Sequence, residues 1–531
     1  MKKPHILIFN PDEMRADTLG HLGNPAAITP NLDSFATRDA VSFANAHCQN
    51  TVCVPSRCSF FTGLYPHVRG HRTMSHLLHE NESSLFSELK ASGWYVWMNS
   101  RNDLIDPENM DNIHKHCDVF FQGGQQPAPK GPENPDIRGR QTAPSFYSFY
   151  RGRLGLDNNG KNYSSDDEAV DEAIRVIKNP PTDKPMCLFL GLFYPHVPYQ
   201  VEEPYFSAID KSKLPPRLTV PKDLENHPLA MQLLHQNNNL SALTEDQWDQ
   251  IRSCYLAMTM KVDAQFGRVC QALKDAGIYD DTDIYVLSDH GDFTGDYGLV
   301  EKAQNLMPDC LTRVPLLIKP HKGIAVTPGI SGALTELVDF YATAMDLAGV
   351  MPDHTHFGHS LRPQLKDPST PNRRYVFNEG GRTNAERANC TESLKAGRDE
   401  LFWPRFTSQI DDTAHGKATM IRSENHKYIR RIYEKDEFYD LVKDPGELKN
   451  EIDNPIYKDI IAEMKIQMLD WYQKTCDIVP LKKDSVFSKA LIMEKAKNVL
   501  TSEKLEEFAH MLESGEYNMI MLCNKYGVRI I

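Results

Sequence analysis

Cys53-Val54-Pro55-Ser56-Arg57 decides how this chain is read. A thiol stands just before a proline that can open a helix, because proline is favoured at a first helical position. That helix would run through Cys58, Phe60 and Phe61 and stop near Gly63. The unpaired N–H groups and positive dipole end of such a helix form an anion site. Arg57 lies one residue beyond Ser56 and adds a fixed positive charge. A nucleophile precursor held against an anion site suits attack on a tetrahedral oxyanion.

Working outward, short apolar runs stand at His5–Phe9, Trp94–Met98, Met186–Leu192, Asp283–Leu287 and Val314–Ile318. Helical patterns lie between them. One covers Asp166–Lys178, with Ala169, Ala173, Ile174 and Ile177 at helical spacing. Another covers about 245–276, with Thr244 and Gln247 as a capping box. Alternating strands and helices predict an α/β fold, a large mostly parallel sheet flanked by helices. Residues 123–165 interrupt the pattern, opening with Gly123-Gly124-Gln125-Gln126-Pro127, and read as a long surface insertion.

Beyond residue 375 the texture changes. Thr419–Ile421, Tyr428–Ile432 and Glu437–Leu441 read as an antiparallel meander, followed by a helix over 455–474. Residues 485–523 read as two amphipathic helices bearing Leu491, Ile492, Val499, Leu505, Phe508 and Leu512. Such a pair buries too little to stand alone, so it should dock on its own body or on a second subunit. The expected organisation is a catalytic domain over 1–375, an antiparallel-sheet-plus-helix subdomain over 376–480, and a helical tail over 481–531.

Composition sets further bounds. The 531 residues carry 59 basic and 72 acidic side chains, a net charge of −13, with 40% hydrophobic and 25% charged residues. No basic bias suggests nucleic acid. An acidic chain acting on an anion must gather positive charge in a pocket. Eleven cysteines with no C-x-x-C pair argue against a disulfide framework and for a reducing compartment. Met1-Lys2-Lys3-Pro4 leads straight into an apolar run too short for a signal peptide, and no run approaches a membrane span. A cytoplasmic location is expected, with export open if a signal has been removed.

The Cys-x-Pro-Ser-Arg pattern resembles the type I sulfatases, formylglycine-dependent members of the alkaline phosphatase superfamily. The flanks agree: Thr29-Pro30-Asn31-Leu32-Asp33 upstream, and Thr62-Gly63-Leu64-Tyr65-Pro66-His67 downstream. Phe438-Tyr439-Asp440-Leu441, with Asp444, Pro445 and Glu447, is similar to the family's C-terminal subdomain. The resemblance spans about residues 5–475.

It implies a set of roles, and predicted strand ends supply most of them, where α/β sheets bind their ligands. Cys53 would be oxidised to formylglycine by a maturase and act as nucleophile. Asp12, Glu13, Asp289 and His290 would hold a divalent cation, Ca²⁺ first and Mg²⁺ or Mn²⁺ as alternatives. Arg57 and Lys302 would stabilise sulfuryl charge. His196, framed by Pro195 and Pro198, would assist departure of the leaving alkoxide. In Ser100-Arg101-Asn102-Asp103-Leu104 the chain departs from the common Gly-Lys-x-His-Leu pattern. Arg101 replaces the lysine as an anion contact, and Asp103 replaces the histidine and suits a substrate hydroxyl. Glu379, Arg382, His354, His356 and His359 are expected at the surface, without site contacts.

The implied activity is hydrolysis of a sulfuric ester, the substrate a sulfated small molecule or a saccharide of glycosaminoglycan or mucin type. Asp12-Glu13-Met14-Arg15-Ala16-Asp17 equally resembles a phosphonate monoester or phosphodiester hydrolase. A non-catalytic sulfoglycan-binding protein with unconverted Cys53 is the third reading.

Overall fold

His5-Ile6-Leu7-Ile8-Phe9 forms the buried heart of the molecule. In the computed structural model, which describes residues 3–124, 129–390, 395–481, 487–515 and 517–529, it opens strand β1, His5–Asp12. Gln125, Gln126 and Pro127 of the insertion, and residues 485–486 of the tail, lie outside the described residues.

The other strands follow in chain order: β2 Val41–His47, β3 Tyr95–Asn99, β4 Val119–Phe121, β5 Tyr150–Arg153, β6 Met186–Pro195 and β7 Tyr199–Val201. Next come β8 Thr282–Leu287, β9 Leu316–Lys319 and β10 Gly329–Glu336. The C-terminal set is β11 Val376–Gly380, β12 Ala418–Arg422, β13 His426–Arg431 and β14 Glu437–Asp440. Eight of them form one sheet in the order β10-β2-β9-β8-β1-β6-β3-β4. All its pairings are parallel except those of β9, which runs against both β2 and β8. β2, β4 and β10 are strands of this sheet that the apolar runs did not reveal.

Side chains alternate across a strand, and β1 shows it. Leu7 and Phe9 enter one core, Ile6 and Ile8 the other. On the first face lies the helix Glu245–Asp275, whose Phe266 ring stands 5.3 Å from Phe9 and 5.0 Å from Phe35. Thr244 and Gln247 form its capping box. Asp263 on this helix accepts the backbone N–H groups of Asn31 and Leu32 and the Asn31 side-chain amide. The Thr-Pro-Asn flank is thus a helix start that a distant carboxylate caps. On the second face lies the helix Cys53–Thr62, whose ten residues are all buried. It starts at Cys53 itself, so Pro55 sits third rather than first, and Gly63 ends it at φ 70°.

β11–β14 form a four-stranded antiparallel sheet, one strand more than the expected meander. The helix Lys458–Thr475 packs Ile461, Met464, Met468 and Trp471 against it, with Trp471 stacked on Phe377 at 4.4 Å. Tyr65 and Val338 belong to the same cluster. Residue 375 is therefore no break in packing: β11 docks by Glu379 N donating to Gln49 O, and by Gly380, whose hydrogen faces Gln304. A Cβ there would lie 1.8 Å from the Gln304 carbonyl oxygen.

The chain parts into two compact units, Met1–Ile478 and Val479–Ile531. The second holds three helices rather than two: Lys489–Lys497, Ser502–Ser514 and Met519–Tyr526. The third brings Leu522 and Cys523 onto Ile492, Ala496, Phe508 and Leu512, so the tail closes a core of its own. The expected two helices are corrected to three. Among the described residues, no helix is long and apolar enough to cross a membrane.

Candidate active site

The carboxyl ends of β1, β3, β6 and β8 converge on the start of the Cys53–Thr62 helix. Val52 caps that helix without a side-chain acceptor, so its first-turn N–H groups are left for a ligand. Cys53 Sγ lies 3.2 Å from His290 Nε2 and 3.6 Å from Asp12 Oδ1. Asp12, Cys53, Asp289 and His290 each offer one ligand atom, all within 4.8 Å of one another. His290 Nδ1 donates to Gly291 O at 3.0 Å, which leaves the Nε2 lone pair for the cluster, the usual arrangement of a ligating imidazole. Two carboxylates and an imidazole around one point suit a divalent cation. The donor set fits the implied metal.

Arg57 organises this set. It is fully buried; its Nε donates to Asp289 Oδ2 at 2.8 Å, and its Nη2 to Asp12 Oδ2 at 2.8 Å. Its Nη1 donates to Arg101 O at 2.7 Å. Ser56 Oγ donates to Asp289 O at 2.6 Å. Such a buried charge is tolerable only with partners of this quality. Arg101 Nη2 also donates to Asp12 Oδ2, at 2.7 Å. Burial pushes Asp12 up, but Arg101 and then Arg57 outweigh it and hold the carboxyl well below the usual range. Asp12 is left with Oδ1 facing Cys53. Asp103 Oδ2 lies 3.6 Å from Arg57 Nη1 and 3.9 Å from Arg101 Nε. Gly191 lets the Arg101 carbonyl approach β6: a Cβ there would lie 2.0 Å from it.

Glu13 stands apart from the four-residue cluster. Its backbone turns at φ 63°, and its N–H donates to Asp289 Oδ1. Its carboxylate then faces Lys302 Nζ at 2.8 Å and His196 Nε2 at 3.3 Å. Lys302 Nζ also lies 2.7 Å from His196 Nε2, while His196 Nδ1 donates to Val197 O at 2.7 Å. Burial and then Lys302 push His196 well below its usual range. Burial works against the Lys302 ammonium, but Glu13 raises it above the ordinary lysine value. The histidine is therefore neutral and accepts from the lysine. Burial, then Asp12, pushes the Cys53 thiol well above its ordinary range. Unmodified, it is a neutral thiol and a weak nucleophile.

All the sequence-predicted site residues thus come together; Glu13 lies outside the four-residue cluster but forms a second group with Asp12 and His196, their ligand atoms within 4.8 Å of one another. Several supports escaped the sequence reading. Tyr255 OH donates to Glu13 O and accepts from Arg15 N. Tyr199 OH accepts from Glu301 N, and Arg405 pairs with Glu301 beside Lys302. Nothing local in the sequence marks these, because their partners are more than a hundred residues away. The expected surface placement fails at three positions. Glu379 and Arg382 are buried, Glu379 under the N–H and Nδ1 of His67. His354 is buried against Glu88 and Thr62 O. Each has charged or backbone partners that lift the cost of burial.

The sulfatase family profile matches residues 4–350. An arylsulfatase of Clostridium perfringens is 24% identical over 87% of this chain and 93% of its own length. An N-acetylglucosamine-6-O-sulfatase of Bacteroides thetaiotaomicron is 24% identical over 92% of this chain and 89% of its own. A crystallised phosphonate monoester hydrolase of Agrobacterium radiobacter superposes with TM-score 0.68 at 22% identity, covering 89% of this chain and 96% of its own. The fold is alkaline-phosphatase-like, and with two thirds of the chain under the family profile and the four strand ends assembled on Cys53, the protein belongs to the sulfatase family of sulfuric ester hydrolases.

Proposed function

We propose that this hydrolase removes sulfate from a sulfated carbohydrate, using formylglycine made from Cys53 by a partner maturase. The convergence of Asp12, Asp289 and His290 on the Cys53 sulfur carries this reading. Formylglycine supplies a hydrated aldehyde as nucleophile, and a divalent cation held by Asp12, Asp289 and His290, Ca²⁺ before Mg²⁺ or Mn²⁺, supplies neutralising charge.

The chain's own residues do the rest. Arg57 locks Asp12 and Asp289 in one orientation, so the ligand oxygens are set before substrate arrives. Arg101 and the helix N-terminus present donors to sulfuryl oxygens, and such preorganised donors act where charge develops. Lys302 holds a proton on Nζ for the leaving alkoxide, with His196 Nε2 behind it as acceptor. Glu13 keeps the lysine charged and aimed. The sugar-sulfatase relative supports a carbohydrate as substrate.

Mass spectrometry of the Cys53 peptide, with parallel assays on a sulfate ester and a phosphonate monoester, tests the proposal. The expected result is an aldehyde at Cys53 and faster turnover of the sulfate. Faster phosphonate turnover would favour the second reading, a phosphonate or phosphodiester hydrolase, which the Agrobacterium radiobacter structure and the Arg101-Asp103 departure support. An intact thiol without turnover would favour sulfoglycan binding alone. A homo-oligomer through the tail, where Leu491, Ile520 and Met521 are exposed, is tested by solution mass after truncation at Val479.

A further inference from the structure

A cavity of about 300 Å³ opens beyond Arg101, lined by Arg101, Asp103, Phe121, Gln122, Ser165 and Phe193 among others. One side chain separates it from the reacting centre. Arg101 Nη2 lies 2.7 Å from Asp12 Oδ2, and Asp12 Oδ1 lies 3.6 Å from Cys53 Sγ. A sulfate held at Cys53 therefore has this cavity on the Arg101 side, and its volume is at the lower end for a ligand pocket, enough for one ring.

The lining has a consistent chemistry. Phe121 and Phe193 are half-buried and present aromatic faces. Gln122 and Ser165 have no side-chain partner among the described residues and offer neutral donors and acceptors. Asp103 offers a carboxylate. The second acid of the lining, Asp166, spends its oxygens on the N–H groups of Phe193 and Tyr194, at 2.8 and 3.0 Å. The one cation in the lining is Arg101. Its Nη2 is taken by Asp12, its Nε has no hydrogen-bond partner, and its guanidinium sits 5.0 Å over the Phe193 ring. A carboxylate or a second sulfate entering here would meet Asp103 and would have to share the single guanidinium with Asp12 and the reacting sulfate, so its charge would be poorly compensated. A sugar ring without charge brings an apolar C–H face for the aromatics and hydroxyls for Asp103, Gln122 and Ser165.

We propose that this cavity is the subsite for the ring that bears the sulfate ester, and that it selects an uncharged hexose or hexosamine over a uronate or a ring with a second sulfate. The proposal rests on the carbohydrate-sulfatase reading above. Matched pairs test it with the full-length, metal-loaded, converted enzyme: glucose 2-sulfate against glucuronate 2-sulfate, and N-acetylglucosamine 6-sulfate against N-sulfoglucosamine 6-sulfate. The uncharged member of whichever pair turns over should have at least tenfold higher kcat/KM. Gln122→Lys, which adds a cation to the lining, should narrow that ratio at least tenfold; Ser165→Lys should do the same and serves if the first variant does not fold. Equal or greater kcat/KM for the charged member, or an unchanged ratio in a folded lysine variant, overturns the subsite. No turnover of any of the four by enzyme with a verified aldehyde overturns the carbohydrate reading itself, a failure separate from cleavage without charge preference.

Discussion

Lys302 Nζ lies 2.7 Å from His196 Nε2, and His196 Nδ1–H donates to Val197 O. The pair therefore holds one mobile proton on the lysine. Lys302→Ala should cut kcat by about 10²–10⁴-fold, the usual weight of a positioned acid. It also removes a positive charge that, with burial, keeps His196 well below its ordinary range. The His196 limb of the variant's residual kcat/KM should therefore lie at higher pH than in the parent, while burial still holds it below the ordinary histidine value. A pH–rate profile whose limb stays at the parent's pH would refute the coupling.

Asp12→Asn should harm stability as well as metal binding. Two guanidiniums, of Arg57 and Arg101, share its Oδ2. Breaking a buried ion pair from one side costs about 3–5 kcal/mol. His290→Gln removes a ligand but no ion-pair partner, so its Tm should fall less while its metal content falls as far. Thermal melts and elemental analysis of the two variants decide this. Exhaustive chelation of the parent should abolish turnover and lower Tm, because a ligand bound only by the native state stabilises it.

His354 predicts a pH-dependent stability far from the chemistry. Burial lowers its pKa, but the hydrogen bonds it donates to Glu88, Asp353 and Thr62 O outweigh that and raise it above the ordinary value. A raised folded-state value means the contribution is complete below about pH 6.5, the unfolded value, and is lost as pH rises through the folded value. The Tm gap between parent and His354→Gln should therefore be largest near pH 6 and shrink toward pH 9. A gap that widens with pH would contradict the sign.

Gly380→Ala should be costly for its size. The added methyl would meet the Gln304 carbonyl oxygen at 1.8 Å, and Gln304 follows Lys302 by two residues. Overpacking costs typically about 1–3 kcal/mol. Part of that strain should appear as a lower kcat with KM little changed, because the lysine loop moves. Melts with steady-state kinetics would detect it.

Phe508→Ala should unfold the tail. Phe508 is fully buried at the centre of the Val479–Ile531 core, and such truncations cost about 3–5 kcal/mol, more than a domain of this size can spare. Circular dichroism of the isolated fragment should show a cooperative helical melt for the parent and none for the variant.

The strand ends were legible because chemistry follows directly on apolar runs: Asp12 after Phe9, Asp289 after Leu287, His196 after Leu192. The direction of each side chain was not. Glu13 adjoins Asp12 in sequence, yet a left-handed backbone at φ 63° turns it toward Lys302. β2 and β10 were missed because VSFANAH and GISGALTE carry little β-branched patterning. Their strand state comes from pairing with each other, and propensity yields to such context. The third tail helix is eight residues long, too short for a periodic pattern to declare itself. Arg57 was read as a charge for sulfate; its buried geometry commits it to the ligand carboxylates, which only the fold could show.

The seam at Gln49, His67, Gln304, Glu379 and Gly380 bears on how such chains diversify. A crossover near residue 375 between two parents would join His67 and Gln304 of one lineage to Glu379 and Gly380 of another. Each hybrid would need the same buried carboxylate and the same missing side chain to close. The smaller sheet and the Lys302 loop are therefore tied together through this seam, although more than seventy residues separate Lys302 from Val376, whereas Val479–Ile531 closes a core from its own residues.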